Sequence, residues 1–295
     1  MRQYQDDIPG YRGGPKKKIV ILESMQEGFK VGDTYIAKNK YEGASLTPGW
    51  EKAKKEIVNG DPKLRDRMKA IAEKLAEEII AANPSLSTGY QGLERSEDGH
   101  TVVASLALAG EERFMLRRRQ NTLTVKPGAG DGAYRIIINT DVPWWGDPTA
   151  NAGVLGALVL VLQNFGPVEI WIQQGWIRNH VADDGVTLFK LDYGLQFEPA
   201  HLAFWIGSRL KDRPFSYTIN KGLGRVGSGC SYKPQVPCDV YIHGCFMGSN
   251  APYDYNLMNK DQREKYALSQ AVAWVTKTAA DAVFEEGAEA LTALS

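Results

Sequence analysis

Between Tyr134 and Gln173, two short runs of β-branched and aromatic residues, YRIIIN at 134–139 and VEIWIQ at 168–173, bracket a stretch that is apolar on every side, Val154–Leu162. Strand, wholly apolar helix and strand in that order read as a βαβ crossover. A helix without a polar face has to be covered twice, by the sheet beneath it and by something outside. The helix is expected over residues 150–164, with Thr149 as its N-cap and Gly166 as a left-handed C-cap. Residues 186–191, 216–220 and 239–243 read as further strands, and residues 199–211 as a helix among them. A last long helix is expected from Asp261 to about Glu286, with Leu268, Val272, Val275, Ala279 and Val283 on one stripe. The fold class this predicts is α/β, an open, mostly parallel sheet covered by helices on both faces.

The preceding residues read as an N-terminal mixed α+β appendage. Residues 1–45 mix short β-prone runs (18–22 and 34–37) with Gly, Pro and charge, and are expected as an irregular arm. Thr47-Pro48 and Asp61-Pro62 each read as an N-cap followed by proline at the first helical position. In the second of these helices Leu64, Met68, Ile71, Leu75 and Ile79 share one stripe, and the helix should end before Pro84. From His100 to Val125 the pattern turns to period two through Val102, Leu106, Leu108, Phe114, Leu116 and Leu123, as in a β-hairpin or meander. The glycine-rich KPGAGDG at 126–132 is turn or linker chemistry, and it divides an appendage at 1–128 from an α/β domain at 129–295.

Charge excludes some functions. The chain has 35 Lys plus Arg against 35 Asp plus Glu, so no global field favours a nucleic acid backbone or an anionic membrane. The three cysteines, Cys230, Cys238 and Cys245, are too few and too close together for a disulfide framework and suit a reducing compartment. With no secretory signal in the polar opening residues and no apolar run long enough for a bilayer core of about 30 Å, the expected location is cytoplasmic.

In an open α/β sheet, ligands bind beyond the carboxyl ends of the strands. That rule selects Asn139, Thr140 and Asp141 at the end of the first strand, then Trp144, Trp145 and Asp147 in the loop, then Thr149 at the helix. Oxygen ligands beside helix N–H groups can hold a divalent cation or an anion. The same residues also read as ordinary turn and cap chemistry, the commoner case. Cys230, Cys238, His243 and Cys245 offer four soft ligands for zinc, although the gap between the first two is wider than in the familiar fingers. Buried cysteines acting as small hydrophobes are the alternative. KGLGRVGSG at 221–229 has the glycine spacing of a dinucleotide fingerprint, but the prolines that follow exclude the helix it requires. His180 beside Asp183 and Asp184 can do acid–base or metal work and the basic run at 117–119 can contact a nucleic acid, but a polar turn and a solvated strand end are the commoner readings.

RIIINTDVP, the Gly-containing apolar helix and GPVEIWIQQG resemble the opening of a von Willebrand factor A-like domain, in particular the divergent versions encoded by bacteriophages. The resemblance covers about residues 130–290. The family motif at this strand end, Asp-x-Ser-x-Ser, coordinates a metal with a Thr and an Asp from later loops. Here Asn139-Thr140-Asp141-Val142-Pro143 stands in its place, leaving Asp141 as the charged ligand. The resemblance implies a von Willebrand A/Rossmann-like sheet of viral origin and an interaction module more than a catalyst. Trp144, Trp145, Trp171, Trp176, Trp205, Tyr253 and Tyr255, near the expected strand ends, agree with a protein-binding or self-associating surface. Two other readings stand beside it. One is a metal-dependent hydrolase or nuclease using Asp141, Asp147 and Asp183 with Mg or Zn; the other is a nucleic acid-binding accessory protein using residues 117–119 and the KGLGR loop.

Overall fold

The computed structural model describes residues 1–5, 17–87, 93–96, 101–102, 115–118, 125–140, 148–178, 183–193, 197–206, 214–224, 233–243 and 259–289. In chain order the elements are β1 (Arg2–Gln5), β2 (Lys18–Leu22), α1 (Met25–Lys38), α2 (Lys40–Asn59), α3 (Arg65–Ala82), β3 (Leu93–Ser96), β4 (Thr101–Val102), β5 (Met115–Arg118) and β6 (Tyr134–Asn139). They continue with α4 (Pro148–Gln163), β7 (Val168–Arg178), β8 (Asp183–Leu191), α5 (Ala203–Ile206), α6 (Pro214–Gly222), β9 (Val240–His243) and α7 (Lys260–Val283). Short 3-10 turns at Pro84–Leu86 and Pro199–Leu202 complete the set.

One six-stranded sheet runs β1-β2-β8-β7-β6-β9, and a small antiparallel sheet runs β3-β5-β4. In the large sheet β2 with β8, β7 with β6 and β6 with β9 are parallel, whereas β1 with β2 and β8 with β7 are antiparallel. The fold is therefore α/β with a mixed, mostly parallel sheet. The β7–β8 reversal follows from chain length, because residues 179–182 cannot carry a parallel crossover, which needs a dozen or more residues. β7 also runs five residues past Gln173, its polar QQG pairing with Leu188, Thr187 and Val186.

The expectation of helices on both faces is corrected for the described residues. Ile136, Ile138, Ile170, Ile172, Phe189, Leu191, Val240 and Ile242 share one core with side chains from α1 to α7. The opposite face carries Ile19, Ile21, Ile137, Trp171, Val186 and Leu188, joined by Val236 and Cys238 and by no described helix. On the helical side α4 is buried as its composition demands. It lies between the sheet and an outer layer formed by α3, α7 and the 199–202 turn. Gly153 and Gly156 make that layer close, since a Cβ on Gly153 would stand 2.4 Å from Ile71 Cγ2 and one on Gly156 2.7 Å from Pro199 Cγ.

Further corrections concern individual elements, most of them in the N-terminal third. The irregular arm is replaced by β2, an interior strand of the sheet whose Ile19, Val20 and Leu22 are fully buried, and by α1, which takes in the β-prone residues 34–37. The Ser24 side chain accepts from the Glu27 N–H at 3.1 Å while Glu27 accepts from the Glu23 N–H at 2.7 Å, a capping arrangement that starts α1 whatever the later residues prefer. α2 begins at Lys40 and carries Pro48 inside it, so Thr47 is no N-cap; its hydroxyl donates to the Gly43 carbonyl at 2.7 Å. An internal proline costs about 3 kcal/mol, which burial of Trp50, Ala53 and Ile57 overrides. Asp61 forms a turn with Lys63, and α3 starts at Arg65 with Met68, Ala72, Leu75, Ala76 and Ile79 inward. The glycine-rich 126–132 segment is a tight turn, with Asp131 at φ 54 and Gly132 at φ 91. Residues 216–220, expected as a strand, lie in α6; Pro214 begins that helix and Phe215 anchors it against Phe29, Trp50, Phe189, Phe204 and Trp205.

Candidate functional site

The carboxyl end of β6 lies between β7 and β9, with Asn139 level with Gln173 on one side and His243 on the other. Its last residues are held inside the protein. The Asn139 amide donates to the Tyr241 hydroxyl at 3.1 Å, and the Thr140 hydroxyl and backbone N–H both reach the Gln173 carbonyl, at 2.8 and 3.1 Å. Asn139 is 0 % exposed and Thr140 7 %. The chain re-enters the described structure at Pro148, the first residue of α4, so Thr149 lies one residue inside the helix and is not its N-cap; it is buried. Gly166, expected as a left-handed C-cap, has no positive φ, and the chain leaves α4 through turns in which the Phe165 and Gly166 N–H groups both reach the Leu162 carbonyl. Asp141, Trp144, Trp145 and Asp147 lie outside the described residues.

Sequence reasoning missed Asn151, Gln173, Gln174 and Thr187, which are also buried at this edge. Gln174 and Thr187 pair across β7 and β8 just beyond the apolar pair Ile172 and Phe189. Two consecutive glutamines directly after the alternating VEIWI run were the available signal. The buried polar groups of the described edge are thus amides and hydroxyls, suited to fixing backbone and donating or accepting hydrogen bonds, with the His243 imidazole exposed beside them.

Of the four candidate zinc ligands, Cys238 and His243 are described and are not brought together. Cys238 precedes β9 and packs on the sheet face that carries Trp171, while His243 ends β9 and is exposed. Five residues of extended chain separate them by roughly 16 Å, whereas zinc holds its ligand atoms at about 2.0–2.3 Å. Burial pushes the Cys238 thiol up, with Asp239 adding to the effect and Lys233 and Arg135 opposing it, so it is held as the neutral thiol. Cys230 and Cys245 lie outside the described residues, among which no group of three or more potential metal ligands occurs.

The other singled-out residues separate. Trp171, Trp176 and Trp205, expected near a binding surface, are core residues instead; Tyr253 and Tyr255 lie outside the described residues. Arg117 and Arg118 belong to β5, the middle strand of the small sheet. Lys221 and Gly222 end α6 with the Lys221 ammonium over the Tyr217 ring, and Gly224 follows at φ 69. Asp183 and Asp184 open β8; His180 lies outside the described residues.

At the opposite end of the sheet a charged group ties three strands. Glu169 binds Lys190 and Arg135, the latter at 3.1 Å, and Arg135 lies 4.7 Å over the Trp171 ring. Burial raises the Glu169 carboxyl, but Lys190 and Arg135 together outweigh that and hold it below the usual carboxylate range. The Asp239 carboxylate accepts the Arg135 N–H at 2.7 Å and the Ala129 N–H at 3.0 Å, fastening the 126–132 turn to β6 and β9. No helix among the described residues is long and apolar enough to cross a membrane. No protein-family model, no curated protein and no solved structure matches this chain.

Proposed function

We propose that this chain is a protein-interaction or assembly module of von Willebrand A-like form, which self-associates through the loop that joins β6 to α4. The observation that carries the proposal is the anchoring of that loop. Asn139 and Thr140 at one end, and Thr149 at the other, are buried, and the eight intervening residues include the adjacent pair Trp144 and Trp145. Tryptophan is among the residue types in which interface hot spots are enriched, and it brings large contact area with few rotatable bonds. The β6–α4–β7 unit, with β9 parallel on the other side of β6, supports the von Willebrand A-like form.

Native mass spectrometry of the wild type and of a Trp144→Ser/Trp145→Ser double variant tests this. The expected result is a wild-type oligomer and a variant monomer with an unchanged far-UV circular dichroism spectrum. A wild type that is monomeric at every concentration overturns the proposal. If such a monomer also retains one divalent ion that Asp141→Ala removes, the metal-dependent hydrolase or nuclease takes its place.

A further inference from the structure

His201 lies in the turn Pro199–Leu202 and is 5 % exposed. Its ring stacks on that of Tyr193 with centroids 4.0 Å apart and planes at 6°. Nδ1 accepts the Glu198 backbone N–H at 2.9 Å, so the proton of the neutral ring sits on Nε2, with the Val58 carbonyl as its backbone acceptor. The Tyr193 hydroxyl donates to the Ile57 carbonyl, and Arg65 donates to that of Asn59 at 2.9 Å. Three side chains thus satisfy carbonyls in the last turn of α2, which have no partner within the helix. Arg65 also pairs with Glu198 at 2.8 Å, Pro199 packs on Gly156 of α4, and Ala200 packs on Gly60 just past the end of α2.

A second proton has no place in this arrangement. It would have to sit on Nδ1, which already faces an N–H donor, and the ring would carry its charge inside an aromatic stack. A helix C-terminus favours a cation by about 0.3–1 kcal/mol, but a buried donor facing another donor loses its hydrogen bond and its solvation, about 1–3 kcal/mol. The charged or titratable groups around the ring, among the described residues, are Tyr193 and Asp192 after β8, Glu198 in its own segment and Arg65 from α3; α2 presents backbone carbonyls. Burial, with Arg65 adding and Glu198 opposing, holds the imidazole below its ordinary range.

We propose that His201 is a one-proton catch: protonation in mildly acid solution expels its ring from the Tyr193 stack and frees the end of α2 and the 199–202 turn from α4. The proposal rests on the described residues around His201 and is independent of the assembly reading.

Hydrogen exchange of segments 55–66 and 197–206 between pH 7.5 and 5.0, corrected for intrinsic rates, tests the catch in the wild type and in His201→Gln. A single coupled proton makes the opening constant of the wild type rise about tenfold per pH unit below about 6.5, while His201→Gln stays flat. Should the variant fail to fold, the His201 Cε1–H resonance of the wild type decides, its midpoint expected below the ordinary value and coincident with the opening. Protection that is independent of pH in the wild type, an equal slope in His201→Gln, or an ordinary His201 midpoint with the amides still protected overturns the proposal.

Discussion

Gly28→Ala sets two opposed effects against each other in α1. Alanine is favoured over glycine inside a helix by about 1 kcal/mol, so on propensity alone the change stabilises. The new Cβ, however, would stand 2.1 Å from Phe189 Cε2, 2.9 Å from Cδ2 and 3.1 Å from Cζ. Carbon atoms in contact rest about 3.5–4.0 Å apart, so the ring or the helix has to retreat by roughly 1.5 Å. The ring cannot move freely, since Trp205 and Phe215 each lie 5.5 Å from it, centroid to centroid. Overpacking of this kind costs about 1–3 kcal/mol and sometimes more. A closest approach of 2.1 Å puts the clash in the upper half of that range, so it wins, and Gly28→Ala should destabilise by about 1–2 kcal/mol net. Urea unfolding followed by far-UV circular dichroism should show a lower midpoint with an unchanged slope. Phe189→Leu removes the clashing atom, so the double variant should be more stable than the sum of the single changes by about 1 kcal/mol. A midpoint for Gly28→Ala equal to or above that of the wild type would refute the assignment of α1 to direct contact with β8.

Two more outcomes test the opposite end of the sheet. Because Lys190 and Arg135 hold the Glu169 carboxyl below its ordinary value, its contribution to stability is present above about pH 4.3 and is lost as pH falls through the lowered native value. Urea midpoints should therefore fall more steeply between about pH 5 and 3 in the wild type than in Glu169→Gln, which should already be the less stable of the two at pH 7. Asp239→Ala removes the acceptor for the Ala129 and Arg135 N–H groups and should cost about 2 kcal/mol, with faster exchange of those two amides by NMR; Asp239→Asn, which keeps one acceptor, should cost less.

The central unit was readable because its signals are local. YRIIIN, a helix with no polar face and VEIWIQ could be buried in few other ways, and β6, α4 and β7 lie where those residues put them. The α3 stripe and the last helix were readable for the same reason, their apolar residues recurring at helical spacing, although Leu268, expected on the stripe of the last helix, is exposed, and burial there runs through Ala271, Val275, Ala279 and Val283. Long-range choices were not readable. Nothing within KIVIL says that β2 will lie beside β8, and the β-prone 34–37 run became helical because a cap ten residues earlier had already set the register. Pro48 misled for the converse reason: the packing of Trp50 and Ile57 outweighs the local preference that proline expresses. At the carboxyl edge Asn139, Thr140 and Thr149 were identified as residues of interest, but their burial depends on partners such as Tyr241 and Gln173 that are distant in sequence.

The position of β2 also bears on how the chain folds as it is made. Met25, just after β2, bonds to Asp192, just after β8, across 167 residues of sequence. At ribosomal rates of about 5–20 residues per second, β2 leaves the ribosome roughly 8–33 s before β8 does. Through that interval four consecutive aliphatic residues, Ile19 to Leu22, wait without their parallel partner, and closure of so long a loop makes the pairing a late step. A strand fully buried at the end is thus left unpaired with β8 through much of synthesis, and a nascent chain stalled before residue 183 would present it to any chaperone or aggregating neighbour nearby.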